Sequence, residues 1–419
     1  PAPVTATVAE PTAIPGEEPA TAQPTEGAGP ARNPAQNTVL SAFMTADFSG
    51  PGTCVLCHEG LRDEAATDVS LTTAWRSTMM ANAAKDPVWQ AKVSSEVARL
   101  PALQDVIEEK CVTCHMPMAK TQAEVEGQAI GAQGDGFYDP AHPLHEAGIE
   151  GVSCTLCHQI GDVGLGTMES FTGGYSVDTS TEPPVRLAFG PYENPFGRPM
   201  QMHTGYLPVY GAHTEAAELC ATCHNLYTPY VDAEGNVLGE FPEQTPYTEW
   251  ENSGFGGAMP CQGCHMPKAA GGVVISPMPG GLAPREPFFQ HWFVGGNALM
   301  LQILADWGGE LEVTADAVHF DATLARVLDQ LGGRTAKLRV EGLALDGATL
   351  TASLKVTTMT GHKFPTSFPS RRAWLHVTVT DGAGVVIWES GARNADGSIS
   401  GNAADADPAA FEPHYDVIT

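Results

Sequence analysis

The chain has 419 residues, 42% of them hydrophobic, with 21 basic against 49 acidic side chains and a net charge of −28. That balance argues against nucleic acid as a partner, since binding it relies on Lys and Arg to neutralise phosphates. It suits a small cationic electron carrier, divalent metal ions or an oxidised mineral surface, and equally serves to keep an exported protein soluble.

Residues 1–46 are rich in Pro, Ala, Thr and Glu with almost no aromatic side chain, a composition too poor in apolar surface to offset its ordering entropy. They are expected to form a flexible arm or tether, opening on Pro1 as a processed N-terminus would. Residues 47–310 follow as short helical pieces joined by long Gly/Pro-rich connections such as 161–199. So much loop is unusual in an ordinary domain, but it is expected where cofactors supply the apolar core. No stretch approaches the ~18 apolar residues of a transmembrane segment.

Every cysteine belongs to a Cys-x-x-Cys-His unit: Cys54/Cys57/His58, Cys111/Cys114/His115, Cys154/Cys157/His158, Cys220/Cys223/His224 and Cys261/Cys264/His265. The signature reads as covalent c-type haem attachment, in which two thiols form thioethers to the porphyrin and the adjoining imidazole binds iron. A structural zinc site wants paired half-sites, and a thioredoxin-like motif wants one dithiol beside a βαβ pattern. Neither explains a histidine after every second cysteine. The motifs consume all 10 cysteines, leaving none for disulfides, so the expected cofactors are five covalently bound haem c groups. Thioether attachment is chemistry of the far side of the bacterial inner membrane. The chain is therefore expected to be exported, to the cell surface or extracellular space, or alternatively to the periplasm.

Residues 311–419 change character. Asp321 is placed to cap a helix on which Leu324, Val327, Leu328 and Leu331 fall at i, i+3, i+4 and i+7. Leu350, Ala352, Leu354 and Val356 then alternate, as do Leu375, Val377 and Val379, with turns at Asp346-Gly347 and Asp381-Gly382. The expected fold is mostly irregular with short α-helices around c-type haems, followed by a C-terminal, immunoglobulin-like β-sandwich. Thr419 falls in the middle of the strand pattern, as it would in a truncated sheet.

The sixth position of each iron separates carrier from enzyme. A carrier fills it with His or Met so that coordination barely reorganises on reduction, whereas a catalytic haem leaves it open. The chain has 14 histidines, enough to close every site. His145 and His213 lie shortly before the third and fourth motifs, His291 follows the fifth in an apolar run, and His362 sits in a turn between two strands. These are the candidate distal ligands, with His142 and His203 in reserve, while His319, His376 and His414 read as structural. No histidine lies between His58 and His115, so the thioether of Met80, or of Met79, is the nearest soft ligand for the first haem.

A family resemblance rests on Gly151-Val152-Ser153-Cys154 with its preceding His145, on Cys220 to His224 continued by Asn225-Leu226-Tyr227-Thr228-Pro229, and on the Cys261 motif continued by Met266-Pro267. It extends through His291 to Asn297 and through Gly361 to Thr366 followed by Ser370-Arg371-Arg372. Together these runs, spread over residues 50–419, resemble bacterial multihaem c-type cytochromes of the exported electron-transfer kind. That group includes cell-surface cytochromes and some that polymerise into conductive filaments. In such proteins a segment like Trp75 to Met80 often offers a histidine distally, where this chain has Met80, and relatives continue beyond the point equivalent to Thr419.

Size points the same way. A segment as long as 47–291 packs to a radius of gyration of roughly 18 Å, which puts five irons about 22 Å apart on average. The function expected is electron transfer through five closely spaced haems, with no bond-making chemistry on the protein. Its partners are other redox proteins or an extracellular electron acceptor, and head-to-tail stacking gives a filament if the terminal haems are exposed at opposite ends. The alternative is a multihaem oxidoreductase of small nitrogen or sulfur compounds, which needs one open haem in a cleft. Its candidate is the first haem without Met80, with Arg76 nearby.

Overall fold

A computed structural model describes residues 38–232, 236–395 and 398–400. Most of the expected arm, along with His414 and the end of the strand pattern, lies outside the described residues. The chain divides into a larger unit, which takes in the described residues up to Ala336 together with Met359–Ser367, and a smaller one formed by Lys337–Thr358 and the described residues from Phe368.

The 45 glycines and 33 prolines keep the helices of the larger unit short. The first motif forms α1 (Gly52–His58), followed by α2 (Leu71–Trp75). Helix α3 (Pro87–Arg99) starts where the Asp86 carboxylate accepts the amides of Val88 and Trp89, with proline at the position whose N–H would be unused anyway. Helix α4 (Gln104–His115) runs into the second motif, and α5 (Pro117–Glu126) restarts on proline and ends at Gly127 in the left-handed region. Helices α6 (His145–Ile149) and α7 (Cys154–Cys157) lead into the third motif. After a long irregular stretch, β1 (Arg186–Gly190) pairs in parallel with β2 (Tyr206–Tyr210) across α8 (Arg198–Thr204). Helix α9 (Ala217–Ala221) carries the fourth motif, and β3 (Leu226–Val231) pairs antiparallel with β4 (Val237–Gln244). Then come α10 (Pro246–Glu251), the fifth-motif helix α11 (Cys261–His265), α12 (Ala298–Asp306) and α13 (Ala317–Arg334).

The main core joins Phe48, Val112, Met116, Met118, Phe137, Leu144 and Leu156. Val112 and Leu156 are intervening residues of the second and third motifs, so the motifs themselves build the interior. A second cluster joins Leu301, Leu304, Val313, Phe320 and Val327, with Met79 packed against it. Helix α13 therefore belongs to the larger unit, and the expected boundary at 310/311 falls inside that unit.

The start of α13 differs from expectation. Asp316, rather than Asp321, caps it: its carboxylate accepts the His319 amide while the His319 ring accepts the Asp316 amide. The reciprocal bonds satisfy two otherwise unpaired donors, and the buried stripe becomes Phe320, Thr323 and Val327, with Leu328 and Leu331 left exposed.

The smaller unit contains β5 (Ala336–Asp346) paired with β6 (Thr349–Thr358), and β7 (Val377–Thr380) paired antiparallel with β8 (Val386–Ser390). The alternating runs and both Asp-Gly turns lie where the sequence puts them. Two facing sheets of an immunoglobulin-like sandwich are not found among the described residues, which form two separate hairpins. The connection between them has no regular structure, and 359–367 belongs to the larger unit.

Residues 38–46, expected as the end of the arm, pack onto the larger unit. Leu40 is buried, Gly50 and Gly52 donate to the carbonyls of Phe43 and Ser41 at 2.9 and 2.8 Å, and Arg186 donates to the Ala46 carbonyl. Arg186 also pairs with Asp47 at 2.7 Å, both side chains being 2% exposed. Breaking a buried pair strands a charge and costs about 3–5 kcal/mol. Arg186→Met is therefore expected to lower chemical stability by that amount, and Asp47→Leu added to it to restore most of the loss. A loss below ~1 kcal/mol, the value of an exposed pair, would contradict the burial.

Candidate functional site

The imidazoles of the first, second, third and fifth motifs each end or cap a helix, and these four are oriented in the same way. Nδ1 donates to a backbone carbonyl from a distant segment: His58 to Ile275 at 3.0 Å, His115 to Ala83 at 2.9 Å, His158 to Phe189 at 2.6 Å, and His265 to Val294. Burial lowers the pKa of all four rings. A neutral ring with its proton fixed on Nδ1 presents a lone pair at Nε2, the state that binds a metal. The His115 ring is further held by Trp89, stacked at 4.3 Å and within 2° of parallel. His224 is exposed.

Two proximal rings face a second imidazole. His158 and His291 have ring centres 6.3 Å apart and planes 18° from parallel, and His265 and His362 show the same 6.3 Å and 18°. This is the wide end of the range for paired rings. Two imidazoles bound through Nε2 to opposite sides of one metal ion, each at the ~2.0 Å of a histidine–metal bond, have ring centres about 6 Å apart. The second ring of each couple also turns Nδ1 to a carbonyl, His291 to Phe289 at 3.2 Å and His362 to Lys363 at 2.9 Å. All four Nε2 atoms are thereby kept for a ligand. Burial, followed by the neighbouring His158, pushes the His291 pKa down to about 3.

The other candidates sit differently. His145 is buried, with Nδ1 donating to the Phe137 carbonyl at 2.9 Å and Nε2 3.3 Å from the Glu312 carboxylate. His213 turns Nε2 to the Ile160 carbonyl at 2.9 Å, which leaves Nδ1 as its other ring nitrogen. His142 accepts the Leu144 amide at Nδ1, a tautomer with its proton on Nε2, and His203 is exposed on α8. Met80 is half-buried and its carbonyl accepts the Val152 amide at 3.0 Å, while Met79 joins the α12–α13 core. His319 caps α13, and His376 pairs with Glu389 at 2.8 Å on the surface, both in structural roles.

None of the ten cysteines is in a disulfide. The motifs touch one another out of chain order. Thr155 of the third motif exchanges two hydrogen bonds with Ser49, just ahead of the first motif, and the Cys54 thiol lies against Cys154. Hydrogen bonding to Cys154, followed by burial, holds the Cys54 pKa well above the ordinary thiol value and lowers that of its partner. Cys114 and Cys223, and Cys220 and Cys261, form similar couples. The remaining motif thiols stand outside these couples. Cys57, expected as the second thioether of the first motif, is half-buried on α1, where it adds to the rise at Cys54 through its charge alone. Burial pushes Cys111 up to about 11 and Cys157 up to about 12, and Cys264 is exposed with its thiol 3.5 Å from Met259 Sδ. The thiols of one motif are thus unequally placed: in the first, Cys54 faces another motif and Cys57 does not share that contact.

Gly173 is wedged between the second and fourth motifs. Its φ of +82° and a would-be Cβ only 2.2 Å from Thr113 Cγ2 admit no side chain, and its amide donates to Thr222 at 2.6 Å. Ala221 and Cys261 share an apolar cluster, and Gln262 Nε2 donates to the carbonyls of Thr214 and Ala216. The first site thus abuts the third, the second abuts the fourth, and the fourth abuts the fifth.

A buried polar group that the sequence reading missed lies where the segment 76–85 meets 150–153. Lys85 and Glu150 are each 2% exposed, and Glu150 Oε1, Arg76 Nε and Asn82 Oδ1 lack partners among the described residues. Burial lowers the Lys85 pKa and raises that of Glu150. Among the described residues no cluster of three or more His, Cys, Asp and Glu side chains could hold a bare metal ion. Paired free thiols followed by an oriented imidazole, with a second imidazole opposite in two cases, instead fit a covalently attached metalloporphyrin.

No protein-family model matches the chain, and no curated protein matches it. Among solved structures it is similar to the crystal structure of a penta-heme cytochrome c552 from Thermochromatium tepidum, at 17% identity and a TM-score of 0.45, over 81% of this chain and 73% of that one.

The double substitution Cys154→Ser with Cys157→Ser is expected to lower the intact mass of the purified protein by one haem. Unchanged mass would contradict attachment at the third motif.

Proposed function

We propose that this chain is a multihaem c-type cytochrome that carries electrons through five covalently bound haems. The observation that carries the reading is the pair of imidazole couples, His158 with His291 and His265 with His362, each behind a Cys-x-x-Cys-His motif and each spaced for a metal between them. Bound haem supplies a reversible one-electron site. The chain's own part is to hold it. The motif thiols form the thioethers, Cys57 with Cys54 at the first site and the corresponding pair at each of the others. His58, His115, His158, His224 and His265 bind from one side, and His291 and His362 close the third and fifth sites from the other. Met80, His145 and His213 are the proposed closing ligands of the remaining three. Two imidazoles that do not move give little reorganisation on reduction, which suits a carrier and excludes water and exogenous ligands. Abutting motifs support short steps between sites. The same reading extends to export, to redox proteins or an extracellular acceptor as partners, and to self-association end to end.

A second reading, a multihaem oxidoreductase of small nitrogen or sulfur compounds, is favoured by the half-buried Arg76 beside the buried Lys85 and Glu150, which include unpartnered polar atoms. Such groups bind and protonate small oxyanions where an open metal site lies beside them.

Carbon monoxide titration of the reduced protein separates the two. The carrier reading expects at least the third and fifth sites to refuse it, and His291→Ala to add one carbon monoxide per protein. Stoichiometric uptake at one site of the wild type, together with reduction of nitrite or sulfite that Lys85→Met abolishes, would instead establish the enzyme.

A further inference from the structure

The loop that carries His362 is held from one side chain. Glu249 Oε2, on α10, accepts the Lys363 amide at 3.0 Å and the Thr366 hydroxyl at 2.6 Å. The same helix and the turn after it meet the loop again at Gly361, where an added Cβ would lie 3.2 Å from Trp250 Cδ1 and 3.5 Å from Phe255 Cβ. Within the loop Thr360 donates to the His362 carbonyl at 2.6 Å, and its start is tied by the Met359 amide donating to Thr335 at 2.8 Å. On its other side α10 reaches the fifth motif, with Trp250 Nε1 donating to the Met259 carbonyl at 2.7 Å, two residues before Cys261.

The loop of His362 and the approach to the fifth motif therefore both touch one six-residue helix, while the His265 ring itself is set by Val294. His362 itself makes only a local contact through Nδ1, to the residue that follows it, so its own hydrogen bond fixes the ring within the loop but not the loop against the protein. The contacts at Gly361, Lys363 and Thr366 do that, and the two at Glu249 are charge-assisted, the stronger kind.

We propose that Glu249 is the positioning residue of the fifth site, a carboxylate clamp that holds the 360–366 loop so that His362 stays opposite His265. The inference rests on the reading of His265 and His362 as opposite ligands of one haem. The clamp does not touch the metal. It acts by lowering the fraction of time the loop is lifted, and its loss opens one site of five without altering the thioethers or the proximal ring.

The test compares His362→Ala, Glu249→Ala, Glu249→Gln and Thr366→Val with the wild type, all as the haem-loaded full chain. The readouts are the high-spin fraction by electron paramagnetic resonance and the rate of carbon monoxide binding after reduction. His362→Ala is expected to take up one carbon monoxide per protein and to return to low spin with added imidazole. Glu249→Ala is expected to bind it at the same single haem about tenfold faster than wild type or more, the change that loss of charge-assisted hydrogen bonds produces. Glu249→Gln, which keeps an acceptor oxygen, is expected to stay near wild type, and Thr366→Val to fall between. Imidazole rescue shows that the fold is intact. If Glu249→Ala does not fold, Thr366→Val decides: wild-type rates there overturn the clamp. If His362→Ala opens a site but Glu249→Ala and Thr366→Val bind at the wild-type rate, the clamp is wrong and the ligand assignment stands. If His362→Ala opens nothing, the assignment itself fails.

Discussion

An imidazole that is to bind a metal must keep one nitrogen free of protons, and a backbone carbonyl on the opposite nitrogen is the simplest way to enforce it. In this chain that carbonyl comes from far along the sequence: Ile275 for His58, Ala83 for His115, Phe189 for His158 and Val294 for His265. A carbonyl inside a helix is already spoken for by the ladder. Ala83, Ile275 and Val294 lie in irregular backbone, and Phe189 lies in a two-stranded sheet. The long loops are thus the source of the acceptors that set the rings, and regular structure in their place would leave the rings free to turn.

The interior follows from the same constraint. With Val112 and Leu156 contributed by motifs and Trp89 lying flat on His115, the Cys-x-x-Cys-His segments are themselves part of the core. The polar interior is concentrated in a few points. The Arg186–Asp47 pair ties residues just ahead of the first motif to β1, whose Phe189 carbonyl receives the His158 ring. A stability determinant and a ligand orienter are therefore neighbours on one short strand.

Much of the site can be read from the chain alone because its grammar is local. Cys-x-x-Cys-His is complete within five residues, and His291 and His362 stand out by their apolar or turn context. Which proximal ring each would face is a matter of tertiary folding, and spacing does not carry it. The same holds for the thiols: nothing in the first motif tells Cys54, set against Cys154, from Cys57, which stays on its own helix. His213 lies near a motif in sequence as His291 does, yet its Nε2 is taken by the Ile160 carbonyl. Helix existence is legible over 321–331, but the start is not, since Asp316 wins as a cap through a histidine partner rather than the usual Glu or Gln. The strands are legible from alternation, whereas the number of sheets depends on long-range pairing that alternation does not encode. Glu249 gives no signal at all, because a carboxylate that binds a loop over a hundred residues away looks like any exposed acid on a short helix.

The contacts between first and third, second and fourth, and fourth and fifth sites give the polypeptide the path of a bootlace rather than a string of beads. Each pass across the interior is trapped by a later one, with Gly173 as an eyelet too narrow for any side chain. No motif can be cut out without disturbing another that packs against it. A disturbance at one motif is therefore passed to another about a hundred residues further along the chain, as from Cys54 to Cys154.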